Sequence, residues 1–164
     1  MAEEIEFQDR YVHRPRLKDF NYVGAVAYHV VIVTRDRAPL LSGDLAAATV
    51  NELHRVAEAT RFDVLAFVLM PDHLHILVNG IADDSSLVRF VQRFKQRLGY
   101  RYKRDTGLHL WQPSFYDHGL KKAEAAEPIA RYIIENPVRA GLVRFVEEWP
   151  YFGGSLVAAR PRRS

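Results

Sequence analysis

Hydrophobic positions recur along this chain with two different periods, and the switches between them predict its elements. Gly24 to Thr34 (Gly-Ala-Val-Ala-Tyr-His-Val-Val-Ile-Val-Thr) is dense in β-branched residues and predicts a strand. Arg35 to Gly43 holds a proline and a glycine and reads as a loop. From Asp44 to Ala59 the apolar positions Leu45, Val50, Leu53, Val56 and Ala57 fall at helical spacing, with Ser42 or Asp44 as the cap. Phe62 to Leu69 predicts a second strand and His73 to Asn79 a third, and the short Met-Pro-Asp link between them predicts a hairpin.

A long helix is expected from Asp83 to Lys103, where Leu87, Val91, Phe94, Leu98 and Tyr102 lie within about 80° of one another. A loop follows to Pro113, then a fourth strand from Phe115 to Lys121 and a last helix from Glu124 to Asn136. Pro128 is tolerable there only in the first turn. The order βαββαβ predicts an α+β, ferredoxin-like sandwich: a four-stranded antiparallel sheet with helices on one face, followed by one added helix. The other sheet face is expected to be open to a ligand. Residues 1–21 read as an arm, 22–152 as the domain and 153–164 as a basic tail.

Composition narrows the class. At 164 residues the chain suits one domain, and 48% hydrophobic with 26% charged residues is the balance of a soluble globular protein. With no cysteine, thiolate metal sites and disulfides are excluded, which fits a cytoplasmic protein. There is no secretory apolar segment near the start and no apolar run of membrane-spanning length. The net charge of +3 is modest, but its placement is not even. Ser86 to Arg104 contains no acid and carries Arg89, Arg93, Lys95, Arg97, Arg101, Lys103 and Arg104, of which Arg89, Arg93, Arg97 and Arg101 step by four along a solvent-facing stripe of the long helix. That is the footprint of a polyanion binder. The alternative is an ordinary solvated helix face, although the stripe lacks the usual acidic i,i+4 partners.

The candidate chemistry sits in Met70-Pro71-Asp72-His73-Leu74-His75-Ile76-Leu77-Val78. Strand side chains alternate, so His73 and His75 share a face about 6.5–7 Å apart at the backbone, close enough to converge on one divalent ion. A His pair without further ligands also arises by chance, so a third donor is needed. Tyr132 and Asn136 are four apart on the last helix and share its face. A phenol can act as a nucleophile, and an amide oxygen is a hard donor suited to Mg²⁺ or Mn²⁺. For Tyr132 the competing reading is simple packing. For Asn136 it is a helix end, because the residue before Pro137 is biased away from helical geometry. Glu135 and His118 are reserve ligands. Trp111 either stacks on an unpaired base or anchors its loop to the core.

Three motifs stand in order: Leu69 to Leu77, Trp111-Gln112-Pro113, and Tyr132-Ile-Ile-Glu-Asn-Pro-Val-Arg-Ala-Gly-Leu-Val143. Together they resemble the single-tyrosine HUH transposases, and most of all the REP-associated tyrosine transposases, over about residues 25 to 152. The resemblance implies that His73, His75 and Asn136 hold a divalent metal. It implies Tyr132 as the nucleophile that cuts single-stranded DNA through a 5′-phosphotyrosine link beside a hairpin, with no nucleotide cofactor. Family members often carry Arg where Ser114 stands, which touches a DNA contact rather than the chemistry. The REP-associated group resembles self-contained monomers, which favours a monomer with Tyr132 acting in cis; related insertion-sequence transposases are dimers that exchange the tyrosine helix, so a homodimer stays open. Two competing functions stay open: a catalytically silent, sequence-specific DNA-binding module, and a metal-dependent nuclease that uses water.

Overall fold

The computed structural model describes residues 22–120 and 126–158. The expected arm, residues 121–125 and the tail beyond Ala158 lie outside the described residues. In chain order the elements are β1 (Ala27–Val33), α1 (Gly43–Thr60), β2 (Phe62–Leu69), β3 (His73–Gly80), α2 (Leu87–Thr106), β4 (Tyr116–Gly119), α3 (Ala126–Ile134), α4 (Asn136–Arg139), β5 (Phe152–Gly153) and α5 (Ser155–Ala158). Each predicted strand and helix is present, with ends moved by a few residues. The long helix starts later than expected because Ser86 caps it, its hydroxyl accepting from the Arg89 N–H at 3.3 Å. Gly107, in the left-handed region, ends it.

The strands form one antiparallel sheet in the order β4-β1-β3-β2-β5. Its first four strands have the order that a ferredoxin-like chain produces. The fifth strand was not expected: the segment after Pro150 adds a short pair to the edge, Phe67 opposite Gly153 and Val68 opposite Phe152. Two residues carry too little pattern to announce a strand. The packed body thus runs past residue 152, where the domain was expected to end, through α5.

Strand alternation divides the core into two layers. Tyr28, Val30 and Ile32 of β1 and Leu74, Ile76 and Val78 of β3 face α1 and α2, meeting Leu53, Val56, Phe90, Phe94 and Leu98. Burying each such side chain contributes about 1.5–3 kcal/mol. A register shift in β2 between Val64 and Ala66 lets Val64 and Phe67, an odd number of residues apart, both join this layer. The opposite face gathers Ala66, Val68, Met70 and Leu77 beneath Ala126, Ala130 and Ile133 of α3, with Trp149 and Phe152 alongside. The sheet face expected to be open is therefore covered over β2 and β3 by the added helix. His73 and His75 alternate with Leu74 and Ile76 and so belong to this second face.

Candidate active site

The β2–β3 turn is tied down by its neighbours. The Thr34 N–H donates to the Asp72 carbonyl at 3.0 Å, and the single Thr34 hydroxyl proton is shared between the Ala38 carbonyl at 2.7 Å and that of Asp72 at 3.0 Å. The Leu41 N–H donates to the Pro71 carbonyl at 2.9 Å, and the Trp149 indole N–H to the Leu69 carbonyl at 3.0 Å. His73 thus starts β3 from a fixed point. Its ring lies 4.8 Å from that of His75, centroid to centroid, with the planes at 78°.

Each Nδ1 is engaged from behind. His73 Nδ1 is 2.6 Å from the Asp72 carboxylate, and Arg37 approaches that carboxylate from its other oxygen at 3.7 Å. The bonded His73 ring, above all, holds the Asp72 carboxyl below the usual range, so Asp72 accepts and His73 donates. His75 Nδ1 is 3.0 Å from Nε2 of His29, a residue of β1. In each ring of the β3 pair, Nε2 is the nitrogen not used in these contacts. A carboxylate behind the imidazole, as Asp72 stands behind His73, is the usual support of a metal-ligating histidine, and two imidazoles fit a divalent ion. Among the described residues no cluster of three or more His, Cys, Asp or Glu could hold a metal. An amide such as Asn136 would therefore have to complete the set.

His29 is the site residue that sequence reasoning missed. It lies inside a run of apolar residues, wholly buried, and it faces His75 only because β1 and β3 pair in one register. The signal that could have found it was a polar residue at the in-out position opposite to Tyr28 and Val30. His118, the reserve ligand, is the Cα partner of His29 on β4 and is exposed. His29 stands between it and the β3 pair, so His118 lies at the margin of this row of imidazoles.

Burial decides the charge of the inner rings. It pushes His29 down to about 3, with His118 a smaller cause, and it holds His75 well below the usual histidine range, aided by His73, His29, Arg139 and Arg37. An unfolded histidine titrates near ~6.5, so between there and about 3 the unfolded chain binds a proton that the folded His29 does not, and the lowered His75 acts in the same direction. The stability contributed by these neutral rings is complete above that window and is lost as pH falls through it. We expect the unfolding free energy of metal-free protein, from urea titrations, to fall below pH 6.5 by up to about 1.4 kcal/mol per pH unit for each ring. A profile flat from pH 7 to 4.5 would show instead that water reaches both rings.

The helix above this face carries Tyr132. Helical geometry persists beyond α3, since Glu135 keeps helical dihedrals (φ −81°, ψ −4°) and Asn136 opens α4 with Pro137 next. Asn136 is helical but belongs to α4: Glu135 is a turn residue between the two helices, and the Tyr132 carbonyl accepts from Arg139. The Arg139 guanidinium lies 3.9 Å from the Tyr132 ring centroid and donates to the Tyr132 carbonyl at 2.6 Å. The same guanidinium is among the charges that act on His75. Arg139 thus touches the tyrosine and is felt at the histidines.

The residues expected to touch DNA separate into two groups. Arg89, Arg93, Arg97 and Arg101 are exposed along α2, on the side of the sheet opposite to the histidines. Arg93, Arg97 and Tyr100 line a groove with Arg55 of α1. The stripe does have one acidic partner: Glu52 of α1 pairs with Arg55 at 2.5 Å and approaches Arg97 at 3.9 Å. Lys95 and Trp111, by contrast, are turned to the protein. The Lys95 ammonium donates to the carbonyls of Gln112 and Ser114, at 2.8 and 2.7 Å, and clamps that loop. Trp111 is buried against Phe94, with ring centroids 5.7 Å apart, so of its two expected roles the structure shows the core anchor.

The description "Transposase IS200 like" belongs to the family whose pattern matches residues 22–136, more than half of the chain and the whole span from β1 to Asn136. The chain belongs to the IS200-like transposase family. A REP-associated tyrosine transposase of Escherichia coli K12 is 31% identical over 94 residues, which cover 55% of this chain and 53% of that protein. The match thus spans about half the length of that relative. The ISDra2 transposase TnpA of Deinococcus radiodurans is 26% identical over 106 residues, 60% of this chain and 75% of the relative. In fold, the chain is similar to a solved REP-associated tyrosine transposase bound to a REP hairpin. The TM-score is 0.68 at 22% identity, covering 85% of this chain and 82% of that one. Among the described residues, no helix is long and apolar enough to cross a membrane.

Proposed function

We propose that this protein cuts and rejoins single-stranded DNA beside hairpins, with Tyr132 as nucleophile and a divalent metal, Mg²⁺ or Mn²⁺, held by His73, His75 and Asn136. The observation that carries this reading is the placement of the tyrosine helix over the very sheet face that bears the two imidazoles, with Arg139 shared between them. The similarity to REP-associated transposases, one of them solved with a REP hairpin, supports the substrate class.

In the step proposed, the Tyr132 phenolic oxygen forms a bond to the scissile phosphorus and the bond from phosphorus to the 3′ oxygen breaks. The phenol proton leaves to solvent and the 3′ oxygen takes one up, so the products are a 3′-hydroxyl and a 5′-phosphotyrosine. A bound ion would polarise the phosphate and offset charge on the leaving oxygen. Arg139, stacked on the ring, fixes its tilt and places a positive charge beside the nucleophile. Because the tyrosyl ester retains the energy of the broken diester, rejoining needs no nucleotide cofactor.

The test is incubation with labelled hairpin DNA from the protein's genomic flanks and Mn²⁺, followed by denaturing electrophoresis. A labelled protein band is expected. DNA bound but never captured would favour a silent binding module.

The arginine groove is the proposed grip on the hairpin stem. Replacing Arg93 or Arg101 by Gln should lower the salt dependence of binding by about 0.9 in the slope of log affinity against log salt. Arg97→Gln should do less, because Glu52 already offsets part of that charge. Unchanged slopes in all three variants would place the DNA elsewhere. We propose further that the protein acts as a monomer, with Tyr132 serving the histidines of its own chain. Mixing Tyr132→Phe and His73→Ala proteins should then fail to restore adduct formation, and restoration would show exchange between chains.

A further inference from the structure

We infer that His29 is a positioning residue for the candidate metal site: it accepts the Nδ1 proton of His75 and so leaves the His75 Nε2 lone pair for the ion. The inference rests on the proposed metal reading and adds to it a residue from a different strand.

The argument begins with the contact. His29 Nε2 and His75 Nδ1 are 3.0 Å apart, their ring centroids 5.2 Å apart, and His29 is wholly buried while His75 is 8% exposed. Two neutral rings in one hydrogen bond share a single proton, so one of two arrangements holds. If His29 donates, the His75 proton sits on Nε2 and that atom cannot bind a metal. If His75 donates, Nε2 is a free base.

Two features favour the second arrangement. The guanidinium groups of Arg139 and Arg37 near His75 favour a lone pair on the outward nitrogen over an N–H. His73 shows the same design, because its Nδ1 meets the ionised Asp72 carboxylate, which can only accept. Register supplies the position. Val31 is the Cα partner of His75, so His29 is the diagonal neighbour two residues away on the same face. No local motif could create this pair; it exists because β1 and β3 are adjacent. The role differs from ligation, since the His29 nitrogen that reaches the site is already used against His75.

The experiment has two readouts on protein stripped of metal. Long-range ¹H–¹⁵N spectra of ¹⁵N-histidine protein report which nitrogen of His75 carries the proton, the signals being assigned by their loss in His75→Gln. Mn²⁺ affinity is then measured by electron paramagnetic resonance. Wild type is expected to show His75 protonated on Nδ1. His29→Phe, which removes the acceptor and keeps a ring, should weaken Mn²⁺ binding by about 10- to 100-fold. His29→Gln, whose amide oxygen can take the place of Nε2, should restore most of that affinity, which loss of fold would not allow. His75 protonated on Nε2 in wild type would overturn the inference, as would wild-type Mn²⁺ affinity in His29→Phe. Wild type that binds no Mn²⁺ yet carries the Nδ1 proton would sink the metal reading while upholding the tautomer.

Discussion

Tyr132→Phe protein should form no covalent adduct, with strand transfer at least about 10³-fold below wild type, while its hairpin affinity stays within about twofold. The substitution removes one oxygen and little else. The ring remains, so the Arg139 guanidinium at 3.9 Å keeps its stacking partner, and its bond to the residue 132 carbonyl involves no side-chain atom of the tyrosine. Ala130 and Ile133, which hold α3 to the sheet, are untouched. Stability should therefore change little, and the lost activity can be assigned to the missing nucleophile. The measurement is adduct yield against time on denaturing gels, beside equilibrium binding of the same hairpin. Cut DNA persisting in Tyr132→Phe would establish water as the nucleophile and make the tyrosine structural.

The second large effect is loss of the imidazoles on β3. His73→Ala and His75→Ala should each abolish measurable Mn²⁺ binding and lower adduct formation by at least about 10²-fold, the scale on which even supporting residues of metal sites act. The two variants should differ in stability. His73 is partly exposed, and Asp72 keeps Arg37 nearby after its removal. Removing His75 strands the buried His29 without that hydrogen bond, at a cost of about 1–3 kcal/mol. Urea denaturation of metal-free proteins separates the two. Neither change should reduce hairpin affinity much, because the arginine stripe lies on the other side of the sheet. If hairpin binding collapsed along with metal binding, stem and scissile strand would share one face, contrary to the separation seen here.

That separation shows where the reading of the chain alone runs out. The alternation around Leu74 correctly placed His73 and His75 together, since a strand's period is a local property. The run of basic residues on α2 was equally legible, and so was its exposure. What the run faced was not. Lys95 stands in the same acid-free segment as the exposed arginines, yet it bonds two loop carbonyls; Trp111 looked equally fit for a base and for the core. Glu52 lies far along the chain from Arg97 and meets it only because α1 and α2 lie side by side.

By itself, the sequence determined which residues are neighbours on one element: the β3 imidazole pair and the apolar stripe of α2. It also carried the order of elements from which a ferredoxin-like sheet follows. Tertiary structure decided which faces meet. It brought His29 against His75 across 46 residues, laid α3 over the histidine face, and added β5 to the edge. The physical reason is that periodicity is set by backbone geometry within a few residues, whereas strand register and layer packing are set by burial summed over the whole domain.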